Sequence, residues 1–224
     1  MRMDKIMLEK YATYLEKLKT RLDEYYHDQK EFIKCKAGCG VCCTLCYYPV
    51  SQLEYEYMKI GAEKCFTPTE REEINKKCIQ IIKDRKKFLK TNPNIMDFYY
   101  TCPFLVDGSC GNYEHRALLC RSHGLIYQDI EKENKHNLPY CFKLGLNYAD
   151  IWDEATNSFS QEKADKLGIK ATPKVYDLSY SSLMRDAEGV EFGDVRMLVE
   201  WIVMDIPNYE ELIKDEPKNT EIKE

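Results

Sequence analysis

Apolar side chains recur at alternating steps of three and four through the first segment: Leu8, Tyr11, Leu15, Leu18, Leu22 and Tyr25, with Glu, Lys and Arg between them. A helix returns every third or fourth side chain to the same side, so this spacing marks one face of an amphipathic helix. The pattern predicts that helix from about Asp4 to about Lys30. It spans under four heptads, which favours a core-facing helix over a coiled-coil seam.

Start signals place the next two helices. "SQLE" at Ser51–Glu54 is a capping box, and the helix after it is expected to run to about Ile60 and close at Gly61. "TPTE" supplies Thr67 as cap, Pro68 at the first helical position and Glu70 at the third. Ile74, Cys78, Ile81, Ile82, Phe88 and Leu89 form that helix's apolar face, and "TNPN" stops it. Its face and the Leu8–Leu15–Leu22 stripe match in length, so the two helices are expected to pack on each other. "KDRKK" at Lys83–Lys87 reads as its solvated side.

Further on, "FLVDGSC" reads as a small hairpin, because Asp107-Gly108 suits the positive dihedrals of a type I′ turn. "NYEHRALLC" reads as a short helix capped by Asn112. Beyond Asp150 only helix and turn signals remain, notably "SQEKADKLG" and "DVRMLVEWIVMDIP", before a polar, frayed end at "KDEPKNTEIKE". The class is mostly α: a helical domain over 1–149 with a cysteine-rich loop and a small hairpin. A helical extension over 150–224 is expected to pack on the same domain.

Composition narrows the function. A 44 % hydrophobic and 32 % charged chain of 224 residues with mean hydropathy −0.57 fits a soluble domain with a core of its own. A net charge of −5 provides no field for a nucleic-acid backbone. No apolar run has the length of a membrane span, and the N-terminus lacks a signal peptide's apolar core, so a cytoplasmic location is expected.

Against that background the 11 cysteines need an explanation. Five lie in "CKAGCGVCCTLC", Cys35–Cys46, and the others are Cys65, Cys78, Cys102, Cys110, Cys120 and Cys141. A disulfide framework is disfavoured by the odd count and by reducing cytosol. Zinc and iron–sulfur remain. Gly38 and Gly40 let the backbone turn tightly around Cys39, as converging thiolates need. The adjacent Cys42 and Cys43 point in different directions, so two metal atoms use them more naturally than one. Cys65 and Cys78 read as core residues. Cys43-x-x-Cys46 is ligand spacing, yet Cys46 lies where the chain leaves the loop.

The segments "CKAGCGVCC", "CPFLVDGSCGNYEHRALLCRSHG" and "LPYCFKLGL" together resemble the YkgJ-type cysteine-cluster family, named for a CxxCxxCC motif and described as zinc- or iron-chelating. The resemblance covers about Cys35 to Leu146. It implies Cys35, Cys39, Cys42, Cys43, Cys102, Cys110, Cys120 and Cys141 as metal ligands, with Cys46 outside the set. Tyr113, Arg116 and Arg121 match its recurring non-cysteine positions, and Ala117 stands where the family usually has proline. Arg116 and Arg121 are expected to offset thiolate charge, with surface salt bridges the alternative for Arg116. His123 is either a ligand, a donor to the thiolates or a structural histidine; His27, His115 and His136 show no ligand spacing.

Three functions follow as expectations. The first is an iron–sulfur or polynuclear iron protein. The second is a structural zinc or metal-storage module without catalysis. The third is an enzyme related to flagellin lysine methylases, which share such a segment, although no glycine-rich nucleotide or methyl-donor turn is present.

Overall fold

The computed structural model describes residues 4–36, 38–128 and 136–214. The end of the chain from Asp215, where fraying is expected, lies outside them. Helix α1 (Lys5–Asp28) starts at Asp4, whose carboxylate accepts the Ile6 N–H at 3.2 Å. Tyr11, Leu15, Leu18 and Leu22 of the stripe are buried, with Leu8 and Tyr25 at its margin. Tyr14 is buried as well, and its hydroxyl donates to the Leu183 carbonyl at 2.6 Å.

The single turn α2 (Val41–Thr44) and strand β1 (Pro49–Ser51) lead into α3 (Gln52–Cys65), and α4 (Pro68–Leu89) follows. Both capping boxes form. Gly61 does not close α3. It lies inside the helix, where a Cβ would stand 2.3 Å from both Asn112 Oδ1 and His115 Cγ, so the glycine admits the chain that crosses over it.

Strands β2 (Leu105–Val106) and β3 (Ser109–Cys110) make the expected hairpin, with φ of 47° at Asp107 and 77° at Gly108. The helix expected over Asn112–Cys120 is broken. A 3-10 turn spans Tyr113–His115, Arg116 and Ala117 are extended, and α5 covers Leu118–Ser122. Asn112 does not cap, because its amide donates to the Met58 carbonyl at 2.9 Å. The first N–H of α5, on Leu118, instead goes to Glu54 Oε1 at 2.8 Å.

The later elements are β4 (Tyr127–Gln128), β5 (His136–Asn137), β6 (Trp152–Asp153), β7 (Ser158–Phe159), α6 (Gln161–Lys166), β8 (Tyr176–Asp177), α7 (Tyr180–Arg185), β9 (Val195–Met197), α8 (Leu198–Met204) and α9 (Tyr209–Leu212). The segment read as a helix from Asp194 begins as a strand, since β9 completes a ladder with β1 in the register Val50↔Arg196. Likewise β8 lies parallel to β4, Tyr127 opposite Tyr176. These pairings tie the region beyond 150 to the elements before it.

The apolar residues form three clusters. One joins α3, α4 and α8 through Tyr55, Met58, Ile74, Cys78, Ile82, Val199 and Trp201; the Trp201 indole N–H donates to the Val50 carbonyl at 2.8 Å. A second joins α1, α3, α5 and α7 through Tyr11, Leu18, Leu53, Leu118 and Leu183. The third is smaller and centres on Phe32, Ile126, Tyr148 and Ile151. Helices α1 and α4 therefore do not serve each other, contrary to the match of their faces. Their partners are α3 with α5, and α8, respectively. Any two stripes of similar length look compatible in one dimension; the strand pairing that places α8 against α4 is a long-range choice. Among the described residues, no helix is long and apolar enough to cross a membrane.

Candidate metal centre

The loop that carries the first cysteines is pressed against the hairpin. A Cβ at Gly40 would stand 2.6 Å from the Gly108 carbonyl oxygen, so only glycine passes there. The Cys102 N–H donates to the Cys43 carbonyl at 2.7 Å, and the Cys46 N–H to the Tyr100 carbonyl at 2.8 Å. On its other side α2 packs on the 3-10 turn Tyr140–Leu144, which holds Cys141. Helix α5 brings Cys120 against the same cluster. Every cysteine is free.

The thiols meet one another. Cys43 hydrogen-bonds with Cys102 and with Cys42, which pulls its thiol down to about 3. The same contacts push Cys102 and Cys42 up. Cys46 is buried and also takes a bond from Cys102, which lowers it. Burial raises Cys120 and Cys110, and both sense the charge of Cys43. Farther along, a bond from Cys141 and one from the Asn147 amide lower Cys35 to about 6. Cys39 acts on Cys141 through space. The protons are thus shared unevenly, with each stabilised thiolate held by a neighbouring donor.

The remaining candidates take distinct places. The Arg116 guanidinium lies 3.5 Å from the centre of the exposed Tyr113 ring, and its charge favours the Cys43, Cys110 and Cys120 thiolates. Arg116 Nε is buried and has no hydrogen-bond partner. Arg121 instead clamps backbone, donating to the carbonyls of Arg116 at 2.9 Å and Glu114 at 2.5 Å. His123 Nδ1 is 3.3 Å from the Tyr48 hydroxyl, which itself reaches the Cys42 carbonyl at 3.3 Å. His123 Nε2 is buried without a partner.

Asn147 and Tyr26 escaped the sequence reading, which left Cys46 open. Buried Asn147 accepts the Lys34 N–H at 2.8 Å and donates to the Gly124 carbonyl at 2.8 Å and to Cys35 Sγ at 3.1 Å. Tyr26 places its hydroxyl between the carbonyls of Arg121 and His123. Cys46 belongs to the thiol cluster, as its spacing from Cys43 signalled and the family resemblance did not. Cys65 is exposed at the end of α3 rather than in the core, whereas Cys78 is fully buried between α4 and α8.

Among the described residues, no three His, Cys, Asp or Glu side chains are grouped closely enough to hold a metal ion as they stand. Comparison with protein-family models, with curated proteins and with solved structures found no match to this chain.

Proposed function

We propose that this chain is a metal-binding protein of the cysteine-cluster type, with an iron–sulfur or polynuclear iron centre held by cysteine thiolates. The ligand set is Cys35, Cys39, Cys42, Cys43, Cys102, Cys110, Cys120 and Cys141. The observation that carries this reading is the gathering of free thiols from the 35–46 loop, the hairpin, α5 and the turn at Cys141. Thiols that serve only as small apolar side chains are scattered through a core, as Cys78 is. Here they come from separate segments that pack against the 35–46 loop, and soft sulfur donors suit iron, zinc and iron–sulfur clusters.

The surroundings fit such a group. Arg116 offsets accumulated thiolate charge, with its stacking on Tyr113 fixing the guanidinium plane. Asn147 donates to Cys35, the hydrogen bond by which neighbouring groups orient a sulfur ligand. A bound iron–sulfur cluster supplies one-electron transfer at a potential set by such hydrogen bonds and by burial. The resemblance to the YkgJ-type family supports the same reading, with one departure: three residues separate Cys35 from Cys39, where the motif has two.

The test is purification of the full chain without oxygen, followed by metal and sulfide analysis and a visible spectrum. A brown protein with iron and acid-labile sulfide is expected. Colourless protein with stoichiometric zinc would replace iron by the structural-zinc reading, and protein without thiolate-bound metal would end both.

A further inference from the structure

Beside the turn that carries Cys141 lies a cleft of about 380 Å³. The turn Tyr140–Leu144 forms one wall, and the hairpin of β6 and β7 forms the other. Cys141 itself is buried, while Tyr140, Phe142 and Lys143 of the same turn line the cleft. Trp152, Glu154 and Asn157 line it from the hairpin.

Each wall is held by its own hydrogen bonds and needs no ligand to form. In the turn, the Phe142 N–H donates to the Pro139 carbonyl at 2.9 Å, and the Gly145 N–H to the Phe142 carbonyl at 3.0 Å. In the hairpin, the Asp153 carboxylate accepts the Ala155 N–H at 3.1 Å and the Thr156 hydroxyl at 3.0 Å. That fixes the loop bearing Glu154 and Asn157. The Ser160 N–H on the Ile151 carbonyl, at 2.8 Å, closes the base of the hairpin. Phe142 and Trp152 join the walls edge to face, with ring centres 5.9 Å apart. Trp152 is 4 % exposed and closes the bottom of the cleft, whereas Phe142 and Tyr140 are partly exposed.

The chemistry of the cleft divides between its floor and its rim. Aromatic rings on the floor favour another aromatic ring, through offset or edge contacts. The rim carries one charge of each sign, from different walls. Lys143 brings an ammonium, 5.9 Å from the centre of the Tyr140 ring, and Glu154 brings a carboxylate. Both side chains belong to exposed residues. A cleft of this size, near the lower end of small-molecule sites, suits one or two fused rings with a short polar head. A head with only an acid or only an amine answers one rim charge, and a zwitterion answers both.

We propose that this cleft is a binding site for an aromatic amino acid, with its ring on Phe142 and Trp152, its carboxylate toward Lys143 and its ammonium toward Glu154. The site lies outside the proposed metal centre, and the inference does not rest on the metal-binding reading.

The experiment is calorimetric titration of the full-length chain with L-tryptophan. Three further probes are titrated beside it: tryptamine, which lacks the carboxylate, indole propionate, which lacks the amine, and L-leucine, which lacks the ring. Tryptophan is expected to bind most tightly, and leucine about tenfold more weakly. Lys143→Gln should weaken tryptophan and indole propionate about fivefold, the scale of an exposed ion pair, and leave tryptamine unchanged. Glu154→Gln should weaken tryptophan and tryptamine to the same extent and leave indole propionate unchanged. Both substitutions fall at exposed positions, and far-ultraviolet circular dichroism checks that the variants fold. No saturable binding of tryptophan in the millimolar range overturns the proposal. Equal affinities for tryptophan and leucine overturn it as well, as does tryptophan binding that neither variant alters. Tryptamine or indole propionate matching tryptophan in the parent would overturn the zwitterionic head.

Discussion

The chain carries two capping boxes, Ser51–Glu54 at the head of α3 and Thr67–Glu70 at the head of α4, with nearly the same local geometry. In each, the cap N–H and the cap hydroxyl both reach the glutamate Oε2 at 2.8 Å. The glutamate N–H returns to the hydroxyl oxygen at 3.2 Å in the first and 3.3 Å in the second. Beyond that they diverge. Glu70 is exposed, and bonds from Thr67 hold its carboxyl below the ordinary value. Glu54 is 0 % exposed and takes two further donors, the Leu118 N–H and the Tyr180 hydroxyl. Burial pushes its carboxyl up, although all its hydrogen bonds pull the other way.

The difference shows how one local motif acquires two roles. Glu70 caps the start of one helix. Glu54 caps the start of α3, holds the start of α5 and anchors α7, because the three helices meet at its carboxyl group. Since α5 carries Cys120, the box at α3 also positions a proposed ligand, two residues along from Leu118.

The strongest way to break this contrast is truncation. Glu54→Ala leaves the Leu118 N–H and the Tyr180 hydroxyl buried without an acceptor and should cost about 3–5 kcal/mol, whereas Glu70→Ala should cost about 0.5–1 kcal/mol. Denaturant unfolding of both variants checks this; equal losses would show that the extra donors contribute nothing.

Metal retention sharpens the same contrast. Glu54→Gln turns a donor toward groups that are themselves donors and should loosen α5, weakening metal retention about tenfold, the scale of lost outer-sphere partners. Glu70→Gln should leave it unchanged. Competition with a chelator, followed by metal analysis, measures both; parity between the variants would detach Glu54 from the site.

A smaller effect is expected at the cap itself. Thr67→Ala should cost about 1 kcal/mol through the lost bond to the Glu70 N–H, read as a shift in unfolding midpoint. Ser51→Ala should exceed it, because its hydroxyl bonds a carboxylate out of water.

The smallest difference lies in pH dependence, where the signs are opposite. The folded Glu54 carboxyl is raised, so its contribution is complete below its unfolded pKa and is lost as pH rises through the folded value. The folded Glu70 carboxyl is lowered, so its contribution is present above its unfolded pKa and is lost as pH falls through the folded value. The stability gap between parent and Glu54→Gln should therefore narrow with rising pH, and the gap to Glu70→Gln should narrow with falling pH. Melting temperatures across about pH 3–8, the span around an ordinary glutamate and above it, check both slopes; slopes of one sign would remove the electrostatic distinction.

What could be read from the chain follows this division between local and distant causes. The α1 stripe, both capping boxes and the Asp107-Gly108 hairpin depend on neighbours within a few positions, and each forms as expected. Gly61 reads as a stop but serves a close approach by residues near 112–115. Asn112 reads as a cap but is spent on Met58, and β9 interrupts a helical pattern because β1 offers it a ladder. Each of these departures has its partner far away in sequence.

The candidate site divides in the same way. Residue type and spacing alone single out a crowd of thiols in a loop with glycines, because sulfur chemistry and short spacing are written in the chain. The grouping of those thiols, the Asn147 bond to Cys35, the inclusion of Cys46 and the use of Arg121 on backbone were decided by tertiary structure. The physical reason is that hydrogen bonds and burial act across distances of a few ångströms, which only the folded chain sets between residues 35 and 147 or 54 and 118.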